Sequence, residues 1–170
     1  MATLKAQKTG WNETDYYPIS KFNDNPLDNA LYAELCQVEI DREKIQSLIN
    51  QGANVNAINE FGDSMLMELI YDFHDVNFDA VKIMVESGVN LNYEDEGTNC
   101  LYHACLSHKV ELVEFLLKAG ANPNCKIDNE SLLEWVSFDQ WISFTDGHKE
   151  DSDEMLKIID ILVKYGAVDE

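Results

Sequence analysis

One phrase recurs four times along this chain and limits what it can fold into. It reads Leu48-Ile-Asn-Gln-Gly52-Ala-Asn-Val-Asn56, Met84-Val-Glu-Ser-Gly88-Val-Asn-Leu-Asn92, Leu116-Leu-Lys-Ala-Gly120-Ala-Asn-Pro-Asn124 and Leu162-Val-Lys-Tyr-Gly166-Ala-Val. Each copy is an apolar helix end, then a Gly where the chain needs positive φ, then a short turn that is Asn-rich in the first three. The glycines stand 36, 32 and 46 residues apart. That is the period of a stacked helical repeat, with the longer gaps read as insertions.

A second phrase precedes the later copies. The third unit reads Gly97-Thr-Asn-Cys-Leu101-Tyr-His-Ala104, the second Gly62-Asp-Ser-Met-Leu66-Met-Glu-Leu69, and the fourth Asn129-Glu-Ser-Leu-Leu133-Glu-Trp-Val136. Asn129 takes the place of a turn Gly, which Asn tolerates better than most residues. Together the two phrases resemble the ankyrin repeat family from Gly52 to Gly166, with Asn99, Cys100 and Tyr102 standing where the family's opening phrase has Thr, Pro and His. The resemblance implies an all-α solenoid of stacked helix-turn-helix units with short hairpin loops. The expected division is a capping repeat at 27–56, repeats at 57–92 and 93–124, and a last repeat at 125–170 with a long insertion near 143–153. In the capping repeat, Leu27 to Cys36 is expected as the first helix and Asp41 to Gln51 as the second. Residues 1–26, with Trp11, Tyr16, Tyr17 and Phe22, fit no repeat and are expected to form an N-terminal cap or arm.

Apolar spacing independently supports the second helices. Ile45, Leu48 and Ile49 fall at i, i+3, i+4, as do Val81, Met84 and Val85, then Leu112, Phe115 and Leu116, then Ile158, Ile161 and Leu162. Asp41 is a good N-cap for the first of these. A single short helix pair has too little core to fold alone, so burial must come from neighbouring units.

The chain has 170 residues and 45% apolar content, with no run of about 18 apolar residues to span a membrane. Its opening residues lack the apolar segment of a secretory signal, so the chain is expected in the cytoplasm, with Cys36, Cys100, Cys105 and Cys125 as reduced thiols. The charge is extreme: 32 Asp and Glu against 12 Lys and Arg, a net of −20, with a single Arg. Bare nucleic acid and an anionic membrane are therefore poor ligands. The acids are also sorted. Segments 57–75, 93–108 and 126–142 carry 12 acids and only Lys126, whereas the second helices at 41–51, 77–87, 109–119 and 153–165 carry nine acids and seven bases.

The resemblance places hairpin tips and first helices on the concave side used to grip partners. Its pattern puts Glu60, Phe61, Asp63, Tyr71 and Asp72 there, then Asp95, Glu96, Thr98, Leu106 and Ser107, then Ile127, Asp128, Glu130, Phe138 and Asp139. Carboxylates mixed with rings suit a protein-binding face, where aromatic anchors supply affinity and charges supply steering. Some of these rings can instead pack between repeats, as can Trp135 and Trp141, which run with Phe138 and Phe144 at three-residue spacing along a long first helix.

Two insertions depart from the pattern. Three additional residues lie near Asp72–Asn77 and 14 in the fourth unit, which take in Ser143–Asp153; loops near the binding side are expected there. No phosphate loop, zinc-protease motif or nucleophile elbow is present. Cys100, His103, Cys105 and His108 are dense enough to suggest a metal, but on a helix the two thiols lie about 140° apart and do not converge. No enzyme activity, metal or cofactor is expected. The reading is an acidic inhibitor or immunity protein that neutralises a basic toxin, such as a nuclease; the alternative is an adaptor or effector that binds a cellular or host protein. The free chain is expected to be a monomer.

Overall fold

The computed structural model describes residues 21–22, 25–71, 77–95, 97–127, 129–145 and 149–169. Eight helices follow one another among them: α1 Pro26–Leu35, α2 Arg42–Asn50, α3 Met65–Tyr71, α4 Phe78–Glu86, α5 Cys100–Leu106, α6 Val110–Lys118, α7 Leu132–Thr145 and α8 Lys149–Lys164. Between α6 and α7 a two-stranded antiparallel hairpin, β1 Lys126–Ile127 and β2 Glu130–Ser131, pairs Lys126 with Ser131 and Ile127 with Glu130. Bridges between Ile58 and Ser64 and between Asp95 and Thr98 mark the matching turns before α3 and α5.

Local chemistry sets the ends of these elements. Asp41 accepts from the Lys44 backbone N–H at 3.0 Å to cap α2. Ser64, Asn99 and Ser131 cap α3, α5 and α7 from the same place in each unit, accepting from the N–H groups of Met67, Tyr102 and Glu134. Asn99, the departure from the family's Thr, thus supplies the same acceptor. At the other end, Gly52, Gly88, Gly120 and Gly166 all have positive φ. The next N–H reaches back five residues, Ala53 to Leu48, Val89 to Met84, Ala121 to Leu116 and Ala167 to Leu162. That is the Schellman closure expected of the recurring phrase. The hairpin turns need the same conformation, and Asn129 adopts φ 72° where Gly62 and Gly97 have 98° and 80°.

The core runs through every unit, from Phe22, Leu31 and Leu35 through Leu66, Met84, Leu101 and Leu116 to Leu132, Ile158 and Leu162. Burial of this kind comes from stacking, since each pair alone is too small. Phe22 is fully buried and its ring tilts against Tyr32 at 4.6 Å. Trp11, Tyr16 and Tyr17 lie outside the described residues.

An asparagine ladder stitches the turns together. The Asn54 N–H donates to buried Asp28 at 2.7 Å, and Asn56 donates back to Asn54. Asn90 then donates to Asn56, Asn92 to Asn90, Asn122 to Asn92 and Asn124 to Asn122. The last rung is Val168 N–H on Asn124.

The 14 additional residues of the fourth unit do not form a loop. α7 has 14 residues where α5 has 7, and α8 has 16 where α6 has 9. Both helices have grown by seven, about two turns each. The three additional residues of the second unit fall between α3 and α4, and 72–76 lie outside the described residues.

Candidate acidic binding face

The hairpins and first helices carry their polar groups outward on a backbone fixed from within. In the first hairpin, the Asn59 amide oxygen accepts from the N–H groups of Phe61 and Asp63, both at 2.9 Å, while its amide nitrogen donates to Glu68 at 2.5 Å. Glu60 and Phe61 are thereby held at the tip, with Phe61 66% exposed. The second hairpin leans on the first. The Tyr93 hydroxyl donates to the Gly62 carbonyl at 2.9 Å. The Asp95 carboxylate lies so near Gly62 that a Cβ there would clash with it. Thr98 donates its hydroxyl to the Asp95 carbonyl at 3.0 Å. Burial pushes the Tyr93 phenol above its ordinary value, and the Asp95 and Asp63 carboxylates push it further.

Tyr71, Leu106 and Phe138 occupy equivalent places, at the ends of α3 and α5 and midway along the longer α7. Tyr71 sets its ring edge against His103 at 5.3 Å, Leu106 is half-buried, and Phe138 is 60% exposed. Ser107 donates to the Ala104 carbonyl, and Asp139 lies 3.5 Å from the His108 ring. Glu130 is exposed on β2. Asp72, Glu96 and Asp128 lie outside the described residues, as do the side chains of Trp141 and Phe144. Trp135 is half-buried with its ring edge on Tyr102.

Ile127 requires a correction. It is 3% exposed and belongs to the core, not to the outward set. Side chains alternate along a strand, so with Lys126 facing out, Ile127 faces in; Asn59, at the same place in the first hairpin, is buried too. Glu94 and Glu134 were missing from the outward set, yet both are exposed. The same alternation and the helix period locate them, which the family pattern alone did not.

The charges on the two sides are handled differently. Among the described residues, Glu60, Glu94, Glu130 and Glu134 are exposed with no Lys or Arg within ion-pair distance. The second helices instead join charges across units, Arg42 to Glu86 at 2.5 Å and Lys164 to Glu114 at 3.1 Å. Hydrogen bonds from Lys164 and Lys118 hold the Glu114 carboxyl below its usual range.

The Cys and His cluster disperses. Cys100 donates to the Leu91 carbonyl, and burial pushes its thiol up to about 12. Cys105 is fully buried and pushed up by the same cause. His103 meets the Tyr71 and Tyr102 rings edge to face, and neither of its ring nitrogens has a hydrogen-bond partner among the described residues, while His108 faces Asp139. No helix among the described residues is long and apolar enough to cross a membrane.

Comparison with known proteins agrees with this architecture. A family model described as ankyrin repeats (3 copies) matches residues 33–127. An ankyrin repeat protein of Acanthamoeba polyphaga mimivirus is 34% identical over 91 residues, covering 51% of this chain and 14% of that protein. The ankyrin repeat, SAM and basic leucine zipper domain-containing protein 1 of Notamacropus eugenii is 30% identical over 89 residues, covering 49% of this chain and 18% of its own length. The chain thus spans less than a fifth of either relative.

Proposed function

The chain belongs to the ankyrin repeat family, and on that premise we propose that it is a non-catalytic, cytoplasmic binding protein that captures a basic protein through its hairpins and first helices. Its four units at 27–56, 57–92, 93–124 and 125–170 present one continuous face, and residues 1–26 cap or extend the first unit. The partner fitting this face best is a toxin whose own substrate is a polyanion, such as a nuclease. The inhibitor then occupies the surface that would receive phosphates. The binding set is the one derived from the sequence without Ile127 and with Glu94 and Glu134 added, and it needs no cofactor.

One observation carries this reading. Glu60, Glu94, Glu130 and Glu134 are exposed without a cationic neighbour among the described residues, while on the second helices Asp79, Glu86 and Glu114 pair with Lys82, with Arg42 and with Lys118 and Lys164. With 12 acids to one base in the hairpin and first-helix segments against nine to seven in the second helices, the excess of charge lies on one side. Unpaired carboxylates in a row attract a Lys- and Arg-rich surface at long range and speed its approach. Phe61 and Phe138 then supply apolar area that slows its departure.

Affinity capture from the native cell at low salt tests the proposal. The expected partner is basic, and adding the chain back suppresses that partner's activity. Reversing Glu60, Asp63, Glu94 and Glu130 together abolishes capture, whereas reversing Glu43 and Glu111 on the second helices leaves it intact. An acidic partner, a partner whose activity is unaffected, or capture that survives the first reversal would overturn the inhibitor reading. An unaffected cellular protein would favour an adaptor.

A further inference from the structure

The rings on the first helices form one continuous row. Tyr71 closes α3, Tyr102 and His103 lie on α5, and Trp135 lies on α7. Tyr71 meets His103, His103 lies beside Tyr102, and Tyr102 meets Trp135, each ring centroid 5.3 Å from the next. The row therefore crosses three units. Its places follow the repeat, since His103 and Trp135 stand six residues after Gly97 and Asn129, and Tyr71 nine after Gly62. The neighbouring core of these helices is closed, with Leu66, Leu101 and Leu132 at most 1% exposed. The row itself is open to water, for Tyr71 is 46% exposed and Tyr102 and Trp135 are half-buried. Carboxylates border it. Asp63 is close enough to His103 to oppose the effect of burial on that ring. Glu134, next to Trp135, is exposed, and Asp139 follows Trp135 by one helical turn on the same side.

We propose that this row seats arginine side chains of the partner, so that Tyr71, Tyr102 and Trp135 make the acidic face select arginine over lysine. The inference rests on the reading of that face as the site for a basic protein, and it adds which base the site takes. Rings with carboxylates beside them suit a guanidinium, which is planar and weakly hydrated, stacks on a ring face and turns its N–H donors toward acids at the ring's edge. An ammonium is a compact, strongly hydrated charge and gains less from leaving water for such a seat. The cation has to come from outside the face, because the hairpin and first-helix segments hold a single base, Lys126. Long-range attraction depends on charge and treats the two bases alike. Contact with the rings separates them. Trp135 and Tyr102, which the repeat pattern did not place in the binding set, are thereby specificity-determining residues.

Two peptides of equal length, one all arginine and one all lysine, titrated into the full chain by calorimetry test the proposal. Moderate salt is used because it damps the attraction that both peptides share. The arginine peptide is expected to bind about fivefold more tightly than the lysine peptide. Tyr71→Ala with Trp135→Leu brings the arginine peptide to the lysine value and leaves the lysine peptide unchanged, with circular dichroism and melting showing that the variant folds. Tyr71→Ala alone, at an exposed helix end, loses part of the preference, and Trp135→Phe, which keeps a ring, retains most of it. Equal affinities in the parent, or a preference that survives loss of both rings, would overturn the proposal and leave the face standing as a site for bases of either kind. Binding of neither peptide would overturn that reading of the face as well.

Discussion

His103 is only 8% exposed, and neither ring nitrogen has a hydrogen-bond partner among the described residues. Burial lowers its affinity for a proton, and the Asp63 carboxylate opposes this only in part. The unfolded chain binds that proton near the ordinary histidine value, about 6.5. Above that pH both states are neutral and the residue contributes nothing to pH dependence. As pH falls through and below it, the unfolded state gains a proton that the folded state resists, so stability declines until the folded site also titrates. His103→Leu should therefore flatten the loss of stability between about pH 7 and pH 5, read as the difference between urea denaturation midpoints of parent and variant. Parallel curves would mean that the site accepts a proton without penalty. The sequence placed His103 beside two cysteines and set a metal aside on helix geometry, but spacing alone does not say which side chains a neighbouring helix will cover. Tyr71 comes from the preceding unit, 32 residues earlier, and no local pattern announces its ring on His103. Ile127 was misplaced for a related reason: a family pattern assigns a position to a face, whereas the pleat of a two-residue strand decides where this side chain goes.

At the scale of elements, helix ends were legible and helix lengths were not. Asp41 and the four closing glycines declare their roles because capping and positive φ are demands on a single residue. The growth of α7 and α8 was hidden, since Ser143–Asp153 contains Thr, Asp, Gly and Ser, which signal a loop, whereas α7 runs to Thr145 and α8 starts at Lys149. The ladder was half visible, as its asparagines recur in sequence but their partners lie in the next unit. Asn92 accepts from Asn122 N–H at 2.7 Å and donates to the Gly120 carbonyl at 3.2 Å. Asn92→Ala removes both bonds and should cost about 1–2 kcal/mol of stability in urea denaturation. Asn92→Asp, which keeps the acceptor and loses the donor, should cost less. Equal losses would assign the whole effect to the backbone turn.

The whole molecule holds 32 acids against 12 bases, and the structure leaves exposed hairpin acids without cationic neighbours among the described residues. In the free chain this excess is a source of repulsion, weakened as the screening length shortens. Moderate salt should therefore raise the melting temperature, by about 2–4 °C for each kcal/mol of repulsion relieved. Differential scanning calorimetry in dilute and moderately salted buffer checks this. A melting temperature that ignores salt would mean the carboxylates are already too far apart to matter. The sorting of charge was visible in the sequence, because it follows from which segments become first helices. Its pairing was not, since Arg42 and Glu86 stand 44 residues apart. The lengthening of the last helix pair carries an evolutionary consequence. Seven residues turn a helix by about 700°, some 20° short of two full revolutions. An insertion of that size on each limb leaves buried stripe and closing glycine facing as before. Had either limb grown by five residues, the new turn would have swung its apolar side into water. Descendants of this unit can therefore grow or shrink in heptads while the older stack stays undisturbed, which makes its outer end the place where length variation is least costly.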